Sequence, residues 1–134
     1  MCIFCNIEEK KLILVTSRSL VIVNKYPLGV ISFLCIPKPH VSSITELSLG
    51  EYTDLMYLVK DITQKVKKNF NPLGINIFIN EGVVAGQSIE HLHVHIVARG
   101  ADDNLKNFER FGELIPITEE EILSVKKTLL KRGP

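Results

Sequence analysis

The feature that most constrains this chain is a run in which three of its four histidines alternate with apolar residues. Successive side chains of a strand point to opposite faces, so we expect His91, His93 and His95 on one side of a sheet and the intervening residues on the other. An ordinary strand with a polar outer face would more naturally use Thr, Lys or Glu. The pattern therefore indicates a row of imidazoles on a hydrophobic base.

Composition narrows the class of protein. The chain has 134 residues, of which 46% are hydrophobic and 23% charged, and these values are typical of a globular protein. We expect one domain over residues 1–134. The formal net charge of +1 gives no basic field for nucleic acid or a membrane surface, so an anionic ligand must be held locally. The sequence shows no signal peptide or membrane-spanning segment, and a cytoplasmic location is expected.

Hydrophobic periodicity predicts five strands and two helices. The strands are predicted at residues 12–16, 20–24, 30–36, 74–80 and 91–97. A capping box at Ser48 and Glu51 opens a long helix, and another capping box opens a second helix at Thr118. Residues 100–116 between them are predicted to be mostly irregular. The pattern predicts an α+β fold, with a five-stranded, mainly antiparallel sheet and helices packed on it.

The turn before the histidines predicts an anion site. Imidazole has an unperturbed pKa of about 6.5, so a histidine is largely neutral at cytoplasmic pH and is able to attack phosphorus directly. Gly82 and Gly86 permit the φ values at which backbone N–H groups converge on an anion. Uncharged donors surround this turn: Asn80, Gln87 and Ser88. A Gly-rich turn is often a plain connection, but beside the histidine row it predicts a phosphate site.

A second pattern predicts a metal. Cys2 and Cys5 form a Cys-x-x-Cys pair, which in a reducing compartment indicates either a metal site or redox chemistry. His40 and one member of the histidine row would complete a tetrahedral Cys2His2 site for structural zinc. The redox alternative lacks a thioredoxin-like βαβ context. Cys35, in a predicted strand, is expected to be a small core residue.

Other functions are compatible with the histidines. Three histidines are able to hold a catalytic zinc ion. However, same-face positions of one strand lie roughly 6.5–7 Å apart, which makes convergence on a single ion difficult. A nucleotide-binding or scaffold protein with little turnover is a further alternative.

The run Asn80-x-Gly82-x-x-Ala85-Gly86-Gln87-Ser88-x-x-His91-x-His93-x-His95 resembles the active-site signature of the histidine-triad family. Further anchors occur in the order seen in that family: Cys2-Ile3-Phe4-Cys5, Asn24-Lys25-Tyr26-Pro27 and Ile36-Pro37-Lys38-Pro39-His40. Together they cover residues 2–99. The resemblance implies a nucleotide hydrolase or nucleotidyl transferase with an antiparallel sheet and two helices. It also implies a homodimer whose subunits join their sheets.

The resemblance implies a role for each matching residue. The catalytic residues are His91, His93 and His95. Of these, His93 is the nucleophile that forms a covalent nucleotidyl-histidine, and His95 contacts the α-phosphate. The phosphate-binding positions are Asn80, Gly86, Gln87 and Ser88. Asn24 matches a ribose contact, and Phe4 and Ile22 line the base pocket. In the zinc-containing branch of the family the ligands of the structural metal match Cys2, Cys5, His40 and His91.

Two positions bear on the reaction. Ser32 stands where the family usually carries a histidine. We therefore expect the support that this position gives to the catalytic histidines to be weaker or different. The third histidine of the triad is His95, where the phosphorylase branch typically has Gln, so water is the expected final acceptor. We expect hydrolysis of dinucleoside polyphosphates or nucleoside phosphoramidates, with no catalytic cofactor.

Overall fold

The computed structural model describes residues 2–29, 31–101 and 116–133. These residues contain five strands: β1 (Leu14–Val15), β2 (Ser19–Val23), β3 (Ile31–Pro37), β4 (Gly74–Ile79) and β5 (Val94–Arg99). The strands form one sheet in the order β1-β2-β3-β5-β4, and every neighbouring pair is antiparallel. The last strand along the chain therefore lies inside the sheet, between β3 and β4.

Two helices complete the described structure, α1 (Leu49–Phe70) and α2 (Glu119–Leu129). The predicted capping boxes begin both helices, with Ser48 paired to Glu51 and Thr118 paired to Glu121. The buried residues of α1 recur at helical spacing: Leu55, Leu58, Val59, Ile62 and Val66. The prediction of an α+β fold with a five-stranded antiparallel sheet and two helices is confirmed. None of the described helices is long and apolar enough to cross a membrane.

The two faces of the sheet carry different layers. Helices α1 and α2 cover one face, where they share the main hydrophobic core with Leu92, Val94 and Ile96. Cys35 is fully buried in this core, as predicted. A smaller cluster on Phe4, Leu34 and Ile36 covers the other face. The alternation of the histidine run is confirmed, because its apolar members enter the helix-side core.

The predicted bounds of the histidine strand were wrong. The strand was expected at residues 91–97, but β5 begins at Val94, so His91 and His93 precede it. Val94 pairs with Cys35 near the end of β3 and with Ile79 at the end of β4, so the neighbouring strands supply few further partners. Strand β1 has 2 residues instead of the expected five. The irregular segment predicted at residues 100–116 lies almost entirely outside the described residues.

Candidate functional site

The three histidines lie together and are buried, with His91 fully inaccessible and His93 and His95 only 5% and 8% exposed. The rings of His93 and His95 are 4.8 Å apart between centroids. Phe78, the cross-strand partner of His95 on β4, stacks on the His95 ring at 4.4 Å and 7°. Phe4 meets His93 edge-on at 5.1 Å. These aromatic contacts fix the planes of the imidazoles.

Backbone carbonyls determine where the protons of two rings lie. Nδ1 of His93 is 2.8 Å from the carbonyl oxygen of His91, and Nε2 of His91 is 2.8 Å from the carbonyl oxygen of Pro37. A carbonyl oxygen only accepts, so each of these ring nitrogens carries a proton and donates it. In the neutral ring the second nitrogen then has a free lone pair. The free lone pair of His93 therefore lies on Nε2, whereas that of His91 lies on Nδ1.

Burial keeps the row uncharged. It lowers the pKa of His93 below its ordinary value, and burial together with the neighbouring His93 lowers the pKa of His95 to about 3. Both imidazoles are thus neutral at neutral pH. A neutral ring is the form that is able to attack an electrophile, since protonation removes the lone pair.

The turn that precedes the histidines is built on the two predicted glycines. Gly82 and Gly86 have φ values of 90° and 98° and flank a 3-10 turn at Val83–Ala85. The turn closes on itself, because the N–H of Gly82 donates to Oε1 of Gln87 and the N–H of Gln87 donates to the carbonyl of Gly82. Gly86 donates its N–H to Val83. These N–H groups are therefore engaged within the turn and do not converge on an open anion cradle in this structure.

Side chains tie this turn to the segment after β3. Glu81 accepts hydrogen bonds from the hydroxyl of Ser43 at 2.7 Å and from the N–H of Ile44 at 3.0 Å. These bonds lower the pKa of the Glu81 carboxyl. Nε2 of Gln87 donates to the carbonyl of Ser42. Glu81 was not predicted from the sequence, because nothing in its neighbouring residues indicates that its carboxylate bonds to Ser43 and Ile44.

A cavity of about 470 Å³ lies beside the histidines. Its wall includes Phe4, which contacts His93, and Leu34, which is the cross-strand partner of His95. The predicted residues Ile22 and Asn24 also line it. The side-chain Oδ1 of Asn24 accepts from the N–H of Tyr26 at 3.0 Å, which orients its amide. The volume and the largely apolar wall are typical of a small-molecule site.

Part of this wall was not predicted from the sequence. Ile7, Ile89 and Ile122 also line the cavity, and they come from the N-terminal segment, the turn region and α2. These side chains meet from distant parts of the chain, so no short-range pattern could have found them.

The four predicted metal-binding residues lie together, with the ligand atoms of Cys2, Cys5, His40 and His91 all within 4.8 Å of one another. Sγ of Cys2 is 3.4 Å from Nδ1 of His91, and Sγ of Cys5 is 3.2 Å from Nδ1 of His40. Zinc bonds of about 2.3 Å to sulfur and 2.0–2.1 Å to nitrogen place adjacent ligands about 3.5 Å apart in a tetrahedron. The cluster therefore fits a tetrahedral metal ion.

Comparison with known proteins gives relatives that are hydrolases by name. A bis(5'-adenosyl)-triphosphatase from Dictyostelium discoideum is 32% identical over 108 residues, which are 81% of this chain and 72% of the relative. An asymmetrical bis(5'-nucleosyl)-tetraphosphatase from Schizosaccharomyces pombe is 36% identical over 99 residues, 74% of this chain and 54% of that protein. The chain thus spans about half the length of the second relative.

A solved structure shares the fold. A hypothetical histidine triad nucleotide-binding protein from Sulfolobus tokodaii strain 7 superimposes with a TM-score of 0.81 at 27% identity. The match covers 96% of this chain and 89% of that chain. The model of the HIT domain matches residues 7–102, which include the glycine turn and all three buried histidines. The chain therefore belongs to the HIT domain family.

Proposed function

We propose that this chain is a nucleotide hydrolase that cleaves at the α-phosphate through a covalent nucleotidyl intermediate on His93. The observation that carries the proposal is the 2.8 Å hydrogen bond from Nδ1 of His93 to the carbonyl of His91. This bond leaves the lone pair on Nε2, and burial keeps the ring neutral. A nucleophile must be held in one tautomer in this way.

The reaction has two displacements. Nε2 of His93 attacks the α-phosphorus, a phosphorus–nitrogen bond forms, and the bond to the leaving group breaks. Water then attacks the same phosphorus, the phosphorus–nitrogen bond breaks, and a nucleoside monophosphate leaves while His93 is restored. His95 contacts the α-phosphate. Asn80, Gly86, Gln87 and Ser88 bind the phosphate oxygens. For this Gly86 must release the carbonyl of Val83, and Gln87 must exchange its contacts with Gly82 and Ser42.

The cavity beside the histidines takes the nucleoside. Phe4 and Ile22 contact the base, and Asn24 contacts the ribose, because all three line the same 470 Å³ space. The names of the two relatives favour dinucleoside polyphosphates as the substrate class. A nucleoside phosphoramidate presents the same α-phosphate and is the alternative substrate.

Product analysis tests this function. Diadenosine tetraphosphate and adenosine 5'-phosphoramidate are each incubated with wild type and with His93→Ala, with and without a chelator, and the products are separated by chromatography. We expect wild type to release AMP, and His93→Ala to lose turnover by at least about 1000-fold, because the covalent step has no nucleophile. Retained AMP binding by the variant shows that the site is folded.

The same experiment separates the alternatives. Near-wild-type turnover by His93→Ala would reject the nucleophile. Activity lost on chelation, with the fold intact, would favour a catalytic metal. Tight nucleotide binding by wild type without product over hours would favour a binding or scaffold protein, a role made plausible by Ser32 in place of the family's usual histidine.

We also propose that Cys2, Cys5, His40 and His91 hold a structural zinc ion. The 3.2 Å and 3.4 Å sulfur–nitrogen distances support this metal, since thiolate and imidazole together favour zinc. The bond from Nε2 of His91 to Pro37 supports it further, because it leaves Nδ1 unprotonated toward the two thiols. The ion would tie the N-terminal segment to β3 and to the histidine run.

Metal content and unfolding test the zinc site. We expect about one zinc ion per chain by elemental analysis, and we expect Cys5→Ser to lose the ion and to unfold at a lower temperature. Cys35→Ala is the matched control, because Cys35 is a buried core thiol away from the cluster. Equal zinc content in wild type and Cys5→Ser would reject the site.

We propose a homodimer joined through β4. This strand is an edge of the sheet in the described part of the chain, and its Ile77 is 49% exposed. Its six residues, Gly74–Ile79, include no proline and no charged residue. Such an edge is a ready template for another strand.

A further inference from the structure

Side-chain hydrogen bonds join the turn before the histidines to the segment that follows β3. Gln87 makes one of these bonds, from its Nε2 to the carbonyl of Ser42 at 3.4 Å. Glu81 makes two, since its carboxylate accepts from the hydroxyl of Ser43 at 2.7 Å and from the N–H of Ile44 at 3.0 Å. The Glu81 bonds are the shorter ones, and the charge of the carboxylate strengthens them.

Glu81 lies at the base of the proposed phosphate site. It directly follows Asn80 and directly precedes Gly82, which begins the turn with a φ of 90°. The proposed reaction requires Gln87 to leave Gly82 and Ser42 when a phosphate binds. In the described part of the chain, the two Glu81 bonds are then the hydrogen bonds that still join the turn to the segment after β3.

The hydrogen bonds of Glu81 require two acceptor oxygens at this position. The bonds from Ile44 and Ser43 lower the pKa of the Glu81 carboxyl, so it is ionised at neutral pH. The Ser43 oxygen accepts from the N–H of Thr45 at 3.1 Å and lies 2.8 Å from the Thr45 hydroxyl. Its proton goes to the carboxylate, which only accepts, so the Thr45 hydroxyl donates to Ser43. A glutamine has one acceptor oxygen, so Glu81→Gln keeps one of the two bonds.

We propose that Glu81 is a positioning residue, which anchors the turn so that Asn80 and the released Gln87 meet the same phosphate group. The carboxylate itself does not contact the ligand. It acts through the backbone, because its two bonds hold position 81 against the segment after β3. This inference rests on the proposed function for the phosphate, and it adds a residue to which the reaction itself assigns no role.

The sign of the effect distinguishes an anchor from an ordinary surface carboxylate. Glu81 is exposed to solvent. A phosphate monoester is an anion, so removal of a nearby negative charge would by itself strengthen its binding or leave it unchanged. Loss of the anchor has the opposite effect, because the turn must then be ordered when the phosphate binds. Weaker phosphate binding by Glu81→Gln therefore identifies an anchor.

The test compares AMP with adenosine in NMR titrations of the full chain at neutral pH. We expect Glu81→Gln to weaken AMP binding about tenfold and to leave adenosine binding unchanged, since adenosine lacks the group that reaches the turn. Ser43→Ala should weaken AMP binding similarly. The double variant should be little weaker than either single variant, because both changes remove the same bond.

The matched control is Glu51→Gln. The Glu51 carboxylate also accepts from a backbone N–H, that of Ser48 at 2.8 Å, but it belongs to the capping box of α1. The substitution removes the same charge and the same kind of acceptor. We expect the control to bind AMP and adenosine as wild type does.

Amide hydrogen exchange reports on the anchor without a ligand. The N–H groups of Gly86 and Gln87 are hydrogen-bonded within the turn, to Val83 and Gly82. We expect both amides to exchange faster in Glu81→Gln, while the buried positions of α1 keep their wild-type rates. Turn amides that exchange equally in wild type and Glu81→Gln would contradict the anchor.

The outcomes separate this inference from the proposed function. AMP binding by Glu81→Gln that equals or exceeds that of wild type would overturn the inference even if the enzyme hydrolyses nucleotides. An equal loss for AMP and adenosine would also overturn it, since the damage would then not be confined to the phosphate site. Weaker AMP binding with unchanged adenosine binding would support the inference even if no tested nucleotide is hydrolysed. In that last case only the proposed function fails.

Discussion

At the scale of single residues, two backbone carbonyls give neighbouring histidines different chemistry. The carbonyl of Pro37 holds Nε2 of His91 and turns its Nδ1 toward the cysteines, whereas the carbonyl of His91 holds Nδ1 of His93 and leaves Nε2 free. His91 thus contacts the cluster of Cys2, Cys5 and His40 through its side chain and His93 through its backbone carbonyl. A shift of the backbone at His91 would therefore disturb both its contact with the cysteines and the hydrogen bond that orients His93.

Burial of neutral histidines predicts a pH-dependent stability. The unfolded chain protonates His95 near pH 6.5, but the folded protein does so only near the His95 pKa of about 3. Between these values the unfolded state binds the extra proton, so the free energy of unfolding falls as pH decreases, by up to about 1.4 kcal/mol per pH unit. Urea denaturation from pH 7 to 4 should show this loss.

The comparison variant for this prediction is His95→Gln, which cannot titrate. Acid also releases a metal held by thiolates and imidazoles, and this contribution is common to both proteins. The difference between wild type and His95→Gln therefore isolates His95. Parallel curves over the whole pH range would contradict the prediction.

At the scale of elements, the turn before the histidines is held by its own hydrogen bonds and by its neighbour. Gln87 closes the turn on Gly82, and Glu81 fixes its base to Ser43 and Ile44. Val84 at its tip is fully exposed. The turn is therefore anchored at its ends and free at its tip, an arrangement that lets Gln87 change partners when an anion binds.

Gly82→Ala should destabilise this turn. A Cβ at Gly82 would meet no atom within 4 Å, but φ is 90° and ψ is 152°, values that side-chain-bearing residues rarely adopt. We expect a loss of about 1–3 kcal/mol in the free energy of unfolding, measured by urea denaturation. Gly74→Ala is the control, because its Cβ is equally unobstructed and its φ is not positive. Equal losses in both variants would refute the role of backbone strain.

At the scale of the whole molecule, the main hydrophobic core and the buried histidines lie on opposite faces of the sheet. One face carries α1, α2 and the main core, and the other carries the histidines and the smaller cluster with Phe4, whereas the cavity also takes Ile122 from α2. The central position of β5 buries its residues on both faces. Strand β4 lies at the edge in the described structure, next to the histidine strand. A partner on that edge would extend the same sheet.

The dimer proposal predicts a specific sensitivity of the β4 edge. Ile77→Lys should shift the protein to monomers in analytical ultracentrifugation, because a charge on an edge strand opposes pairing with another strand. Leu123→Lys is the matched control, since Leu123 is 51% exposed on α2 and Ile77 is 49% exposed on β4. If both variants sediment as dimers, the interface does not use β4.

Local sequence patterns predicted most of the helices and strands, but few of the residues at which the strands begin and end. The strands, the helices and their capping boxes follow from side-chain periodicity and from residues within one turn of each other. The start of β5 was misjudged by three residues, because β5 begins opposite Ile79, where its partner β4 ends. Pairing partners come from distant parts of the chain, and periodicity carries no information about them.

The sequence by itself determined the alternation that separates the histidines from the core residues, since this alternation is a property of extended backbone. It also supplied the residue types of the metal cluster. Only the tertiary structure decided that Cys2, Cys5, His40 and His91 come within 4.8 Å, that the cavity draws on the N-terminal segment and α2, and that Ser32 shares a face with His95. These relations depend on which strands become neighbours, and that order is set by burial of the whole chain.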